Sequence, residues 1–180
     1  MASSEHIDRR ELLLGAAALG AVSSQAGAAA AAPQVAGPVP PHAELVYEAL
    51  ALLEPTVEHG QGRYGQRARV PIIGGTAKGP GFSARILSGG ADWQLLRADG
   101  YKELEADYYM ETEDKVLIHV INRGLVSPTK ADGSRYALST PWFEAPAGKY
   151  AWMNQHIFVG TVGAGLPDKP SVRLMIYKLI

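Results

Sequence analysis

The sequence predicts an all-β domain, a single antiparallel β-barrel with little helix. Three observations carry this. Two glycine pairs, Gly74-Gly75 and Gly89-Gly90, bracket a short run, Phe82 to Leu87, that reads as a strand. Glycine serves where the backbone takes φ > 0 or lies against other atoms, so two such kinks close together imply a tightly curved sheet. Apolar runs recur at short spacing, each bounded by Gly, Pro or Asp-Gly signals. Finally, no stretch after residue 55 holds helical periodicity over three turns.

Ala43 to Leu53 has a helix-forming composition, but Leu45, Tyr47 and Ala49 alternate with Glu44, Val46 and Glu48, and we read a long first strand ended by Pro55. Further strands are expected over Arg67–Ile73, Phe82–Leu87, Trp93–Arg97, Lys102–Thr112, Val116–Asn122, Tyr136–Phe143, Tyr150–Ile157 and Ser171–Leu179. Asp99-Gly100 and Glu113-Asp114 supply hairpin turns. Gly60-Gln61-Gly62-Arg63-Tyr64-Gly65 matches G-x-G-x-x-G literally. A dinucleotide site needs a helix after that motif, whereas Gln66-Arg67-Ala68-Arg69-Val70-Pro71 is not a helix start, so a glycine-rich turn is expected.

Before the domain, Arg9-Arg10 precede a modest apolar run, Leu12 to Val22, and then the alanine-rich segment Ala26–Ala32. This pattern predicts a twin-arginine export signal over residues 1–30. The run is too short to span a hydrocarbon core of ~30 Å. A Pro/Ala-rich linker over residues 31–42, with Pro38, Pro40 and Pro41, leads into the barrel domain, residues 43–180. The expected location is the periplasm or outside the cell, with no integral membrane segment after the signal is removed.

The chain has 180 residues and no cysteine, so disulfides, thiolate metal sites and thiol catalysis are excluded. Outside the first 30 residues, basic and acidic side chains are equal in number. A neutral domain with scattered cations has no electrostatic footprint for nucleic acid. The histidines, His6, His42, His59, His119 and His156, form no H-x-H or H-E-x-x-H pattern, and no metal or cofactor is expected; His119 and His156 could meet only across the barrel. No G-x-S-x-G marks Ser83, Ser88 or Ser139 as a nucleophile.

The order Gly74-Gly75, Gly79-Pro80, Gly89-Gly90-Ala91-Asp92-Trp93, Asn122-Arg123-Gly124, Pro141-Trp142-Phe143 and Tyr150-Ala151-Trp152-Met153-Asn154 resembles the uncharacterised bacterial and fungal family called domain of unknown function 3237, or uncharacterised protein family 0311. The resemblance runs from about Leu45 to Leu179. It implies a small antiparallel barrel related in shape to ligand-carrying calycin barrels, and leaves the biochemical role unassigned. The chain departs from the family pattern at Asp107, where an arginine is usual, and at Lys115, where a hairpin glycine is usual.

A strand over Tyr150–Ile157 would put Tyr150, Trp152, Asn154 and His156 on one side, an aromatic and polar stripe suited to a pocket wall. Asp92 is a candidate acid/base if burial raises its pKa, and otherwise a turn cap; His156 is the other catalytic candidate. Expected ligand-binding residues are Arg67, Trp93, Tyr150, Trp152 and Asn154, with Asp92, Trp93, Trp152 and Asn154 around one cavity. Arg67 or Arg69 would pair with Asp92. Two functions follow. One is a small-molecule barrel, a binder or a cofactor-free lyase, isomerase or cyclase acting on a hydrophobic, oxygenated metabolite. The other is a non-catalytic, homo-oligomeric envelope domain with a solid core.

Overall fold

The computed structural model describes residues 37–180. The expected signal, residues 1–30, and the first half of the linker, residues 31–36, lie outside them. The strands are β1 Ala43–Leu53, β2 Val57–Gly62, β3 Gly65–Gly79, β4 Phe82–Ile86, β5 Gly90–Leu96, β6 Lys102–Thr112, β7 Leu117–Val126, β8 Ala137–Glu144, β9 Phe158–Ala164 and β10 Ser171–Leu179, with a 3₁₀ helix at Ala151–Gln155 before β9.

All pairings are antiparallel, and the sheet closes on itself because β1 pairs β10 on one side and β3 on the other. β4 and β5 act as two halves of one strand. β4 pairs the second half of β3 and the end of β6, whereas β5 pairs the first half of β3 and the start of β6. The break falls at the second glycine pair. A Cβ on Gly90 would lie 2.5 Å from Tyr108 Cβ and 2.6 Å from the Asp107 carbonyl oxygen, so only glycine lets β5 approach β6 there. The literal G-x-G-x-x-G stretch forms the tip of the β2–β3 hairpin.

Period-2 alternation divides inside from outside. Tyr47, Ala49 and Ala51 of β1, Tyr108 and Met110 of β6, Ile118 and Val120 of β7, and Leu174 and Ile176 of β10 are buried. Together with Phe82, Ile86, Phe143, Met153 and Phe158 most of them plug one end of the barrel with apolar side chains, while Ala51, Tyr108 and Leu174 border the other. Tyr47 stacks on Phe82 with ring centroids 5.1 Å apart, and Phe143 meets Phe158 edge-on at 4.8 Å. The other end, built by β5 and the adjoining halves of β3, β6 and β7, stays partly hollow.

The expected strand Tyr150–Ile157 is absent. Gly148, at φ 121°, reverses the chain, and residues 151–155 wind as a 3₁₀ helix. Its spacing of three brings Tyr150 and Met153 inward, at 5% and 1% exposure, where a strand would have separated them. β9, which no expected strand covered, carries Gly160 and Gly163, so its propensity is weak. Gly160 faces inward because a Cβ would meet Ser139 Oγ at 2.6 Å and Ile176 Cδ1 at 2.7 Å.

Candidate functional site

The hollow half contains a cavity of about 250 Å³. Its apolar wall includes Ala51, Leu53, Ile72, Leu104, Val162 and Leu174. Asp92, Gln94, Asn122, Ser139 and the Tyr108 ring supply its polar groups, and Lys102 and the loop residue Arg135 also line it. Asp92 reaches this space because β5 alternates. Asp92 and Gln94 point in, and Trp93 between them points out. Asn122 shares the parity of Ile118 and Val120 on β7, and Ser139 that of Phe143 on β8.

Three polar atoms buried around this cavity have no hydrogen-bond partner among the described residues: Asp92 Oδ1, Asn122 Oδ1 and Ser139 Oγ. A buried polar group without a partner costs about 1–3 kcal/mol, and native interiors keep few of them. Here three belong to residues that line one space. Gln94 Nε2 donates to Asp92 Oδ2 at 2.6 Å, which fixes the carboxyl and leaves Oδ1 buried without a partner. Burial raises the Asp92 pKa; the Gln94 hydrogen bond, a backbone N–H at Glu105 and the charge of Lys102 pull it back in part. The Tyr47 hydroxyl is also buried without a hydrogen-bond partner among the described residues, and burial pushes the phenols of Tyr47 and Tyr108 above the ordinary range. Tyr108 is therefore a neutral hydroxyl at any physiological pH.

Of the expected site residues, only Asp92 lies in this cavity. Trp93 is on the outer face, 46% exposed, with the Arg69 guanidinium 6.0 Å from its ring. Arg67 shares that outward parity, so neither arginine pairs with Asp92 on the opposite face of the sheet. Tyr150 is a core residue whose hydroxyl donates to Asp114 Oδ1 at 2.7 Å. Trp152 packs against the solid core. Asn154 is exposed, and its amide serves the chain itself: the Ala145 N–H donates to Oδ1, and Nδ2 donates to the Ala145 carbonyl, both at 2.8 Å. His156 is exposed, with Nδ1 2.8 Å from the Trp152 carbonyl oxygen. The placements of Tyr150, Trp152, Asn154 and His156 share one cause, the 3₁₀ helix standing where a strand was expected, whereas those of Trp93 and Arg67 follow from the parity of β5 and β3.

Asn154 and His156 do line an open outer groove of about 510 Å³ with Trp142 and Ile157. Both side chains are already engaged with backbone there, so the groove lacks the orphaned polar groups of the interior. His119 is also outside, Nε2 2.7 Å from Asp107 Oδ1 and stacked on Tyr109. Asp107, which stands where the resemblance implies an arginine, thus meets His119 on the outer face and does not set the charge of the cavity. Among the described residues no group of three or more His, Cys, Asp or Glu side chains is arranged to hold a metal ion, and no helix is long and apolar enough to cross a membrane.

Asn122, Ser139, Gln94, Lys102, Tyr108 and Arg135 were not among the expected site residues. The signal for two of them was available: Asn122 and Ser139 are polar residues standing in phase with the apolar positions of their strands.

Fold and site together define a small closed antiparallel barrel, solid at one end and carrying an acid in an apolar chamber at the other. The family model described as Protein of unknown function (DUF3237) matches residues 41–179, and the chain belongs to that family. A UPF0311 protein of Clostridium acetobutylicum is 35% identical over 127 residues, covering 64% of this chain and 78% of that one. The crystal structure of a beta-barrel like protein from Acinetobacter baumannii superposes with a TM-score of 0.73 at 29% identity, covering 80% of this chain and 99% of that one. That of an enzyme from Penicillium herquei superposes with a TM-score of 0.64 at 23% identity over 81% of this chain and 99% of that one, a likeness of fold.

Proposed function

We propose that this protein is an exported barrel that takes up a small, hydrophobic, oxygenated metabolite in its interior cavity, with Asp92 as acid/base for a cofactor-free lyase, isomerase or cyclase reaction. One observation carries the reading. Asp92 Oδ1, Asn122 Oδ1 and Ser139 Oγ are buried, without partners, around one apolar chamber. A ligand hydroxyl would satisfy them; a solid barrel would have filled the space with Val, Ile or Leu. For catalysis the division of labour is simple. Gln94 holds Oδ2, and Oδ1 accepts a proton from one carbon or oxygen of the substrate and returns it to another, so that bonds rearrange with no net change in oxidation state. The raised pKa brings the carboxyl toward the pH at which it can do both.

The test is native mass spectrometry of protein purified from the periplasm, joined to uptake of the neutral fluorophore N-phenylnaphthylamine. We expect co-purified mass or uptake, and loss of both when the cavity is filled by Ala106→Phe, a substitution at a β6 residue of the cavity lining. An empty protein that excludes the fluorophore would overturn the reading. Export rests on Arg9-Arg10 before the short apolar run. Replacing both by lysine should leave the precursor in the cytoplasm, and unaltered export would remove the twin-arginine claim.

A second reading, a homo-oligomeric envelope domain, draws support from the outer face, where Trp142 is 55% and Ile157 72% exposed. Analytical ultracentrifugation tests it: a monomer at micromolar concentration removes it.

A further inference from the structure

The charged side chains lining the cavity are unevenly placed. Asp92 is the single acid in the lining, and two cations, Lys102 and Arg135, accompany it. Asp92 is already engaged by Gln94. Lys102 begins β6 beside the last residue of β7, and Arg135 belongs to the loop that leaves β7 for β8, so both cations stand at the same end of the barrel. Among the described residues neither has a carboxylate within salt-bridge distance. Their neighbours differ: Arg97 pairs with Asp99 and Glu103, and Arg123 pairs with Glu105, all on the outer surface. The interior orphans, by contrast, ask for hydrogen-bond donors. Asn122 Oδ1 can only accept, and Ser139 Oγ and Asp92 Oδ1 both can.

On the proposal that the cavity takes a small molecule, we infer that its ligand is an amphipathic hydroxy-carboxylate: a hydroxyl directed to Asn122, Ser139 and Asp92, an apolar body against Leu53, Ile72 and Leu174, and a carboxylate at the mouth on Lys102 and Arg135. The polarity runs one way. A ligand entering carboxylate-first would set its charge against the Asp92 carboxyl and the Asn122 carbonyl in an apolar chamber, and would leave the Arg135 guanidinium unmatched at the mouth. A carboxylate left at the mouth keeps part of its hydration and gains two charge-assisted contacts, one from a planar guanidinium.

Isothermal titration with three matched probes tests this: para-hydroxycinnamate, para-hydroxycinnamyl alcohol, which lacks the charge, and cinnamate, which lacks the hydroxyl. Para-hydroxycinnamate should bind at least about tenfold more tightly than the alcohol, a difference of about 1.4 kcal/mol. Arg135→Gln should erase most of that advantage, and Arg135→Lys should keep part of it. Lys102→Gln should act in the same direction, read only if its circular dichroism matches the parent; the loop variant suffices if it does not. Cinnamate should bind more weakly than its hydroxylated partner. If the alcohol binds as tightly as the acid, or if Arg135→Gln leaves the difference intact, the carboxylate assignment falls and the cavity reading survives. If none of the three binds and N-phenylnaphthylamine is also excluded, the cavity reading itself falls.

Discussion

Gln94 lies two residues from Asp92 on β5 and donates its Nε2 to Asp92 Oδ2 at 2.6 Å, while Asp92 Oδ1 is buried at the cavity without a partner. One carboxyl oxygen is thus positioned and the other is available. The arrangement depends on the alternation of a single strand, since both side chains need the same parity to meet inside the barrel.

Asp92→Asn preserves shape and removes the titration. Burial raises the carboxyl pKa in the folded state. Below about pH 4 the carboxyl is protonated in folded and unfolded chains alike, and Asp92 contributes no pH dependence. As pH rises, the unfolded chain ionises first and the native state loses stability until the folded pKa is passed, after which the loss is constant. The variant should therefore melt close to the parent in acid and above it at neutral pH. Thermal denaturation across this range checks the sign; a gap that does not change with pH would sink the raised pKa. Any turnover dependent on Asp92 should be lost in the same variant.

Asn154→Leu removes both hydrogen bonds to the Ala145 backbone. Ala145 is buried, so its N–H and carbonyl would be left unpaired. The expected cost is about 1–3 kcal/mol, read by chemical denaturation. Uptake by the cavity should be unchanged, because Asn154 does not reach it. Lost uptake with full stability would contradict the structural role.

Tyr150→Phe tests the lock between the 3₁₀ helix and the β6–β7 turn. Hydrogen bonds from the Thr112 and Tyr150 hydroxyls, with the Lys149 ammonium, hold the Asp114 pKa well below the usual carboxylate range. A depressed pKa stabilises the fold above about pH 4 and loses that contribution as pH falls through the folded value. The variant should melt below the parent at neutral pH, and the gap should narrow in acid. A constant gap would mean that the hydroxyl acts through packing alone.

Lys115 has φ 65°, the sole non-glycine residue with positive φ among the described residues. It occupies the hairpin position where the family resemblance implies a glycine. Its ammonium bonds Glu111 at 2.9 Å, an exposed contact that offsets little of the strain. Lys115→Gly should raise stability by about 1 kcal/mol, net of the added flexibility of the unfolded chain. Equilibrium unfolding in urea measures it, and a loss of stability would show that the Glu111 contact outweighs the backbone.

Gly90→Ala should cost about 1–3 kcal/mol, since the methyl group would press on Tyr108 Cβ and the Asp107 carbonyl. The shift would also displace the Tyr108 ring in the cavity lining, so fluorophore uptake should fall with stability. An alanine variant as stable as the parent would refute the close approach of β5 and β6.

Strand content was legible where periodicity and punctuation agree. Lys102–Thr112 and Ser171–Leu179 have the boundaries their alternation and turn residues imply, and Ala43–Leu53 is a strand despite a helix-forming composition. The glycine pairs marked the curvature, and Asp92 after the second pair was a candidate acid/base or a turn cap, a choice the sequence left open. By itself the sequence determined an all-β chain, closed and cysteine-free, with an acid beside a sharp bend.

Tertiary structure decided what encloses that acid. Tyr150-Ala151-Trp152-Met153-Asn154 alternates like a strand, yet the bend at Gly148 and the clasp of Asn154 on Ala145 turn it into a 3₁₀ helix, and the expected pocket wall becomes a plug and an outer surface. Asn122, Ser139, Lys102 and Arg135 come from β7, β8, β6 and a loop, and only barrel closure brings them to one cavity. A period of two tells which residues share a face. Whether that face meets side chains or empty space depends on partners far away in the chain, and no local pattern records them.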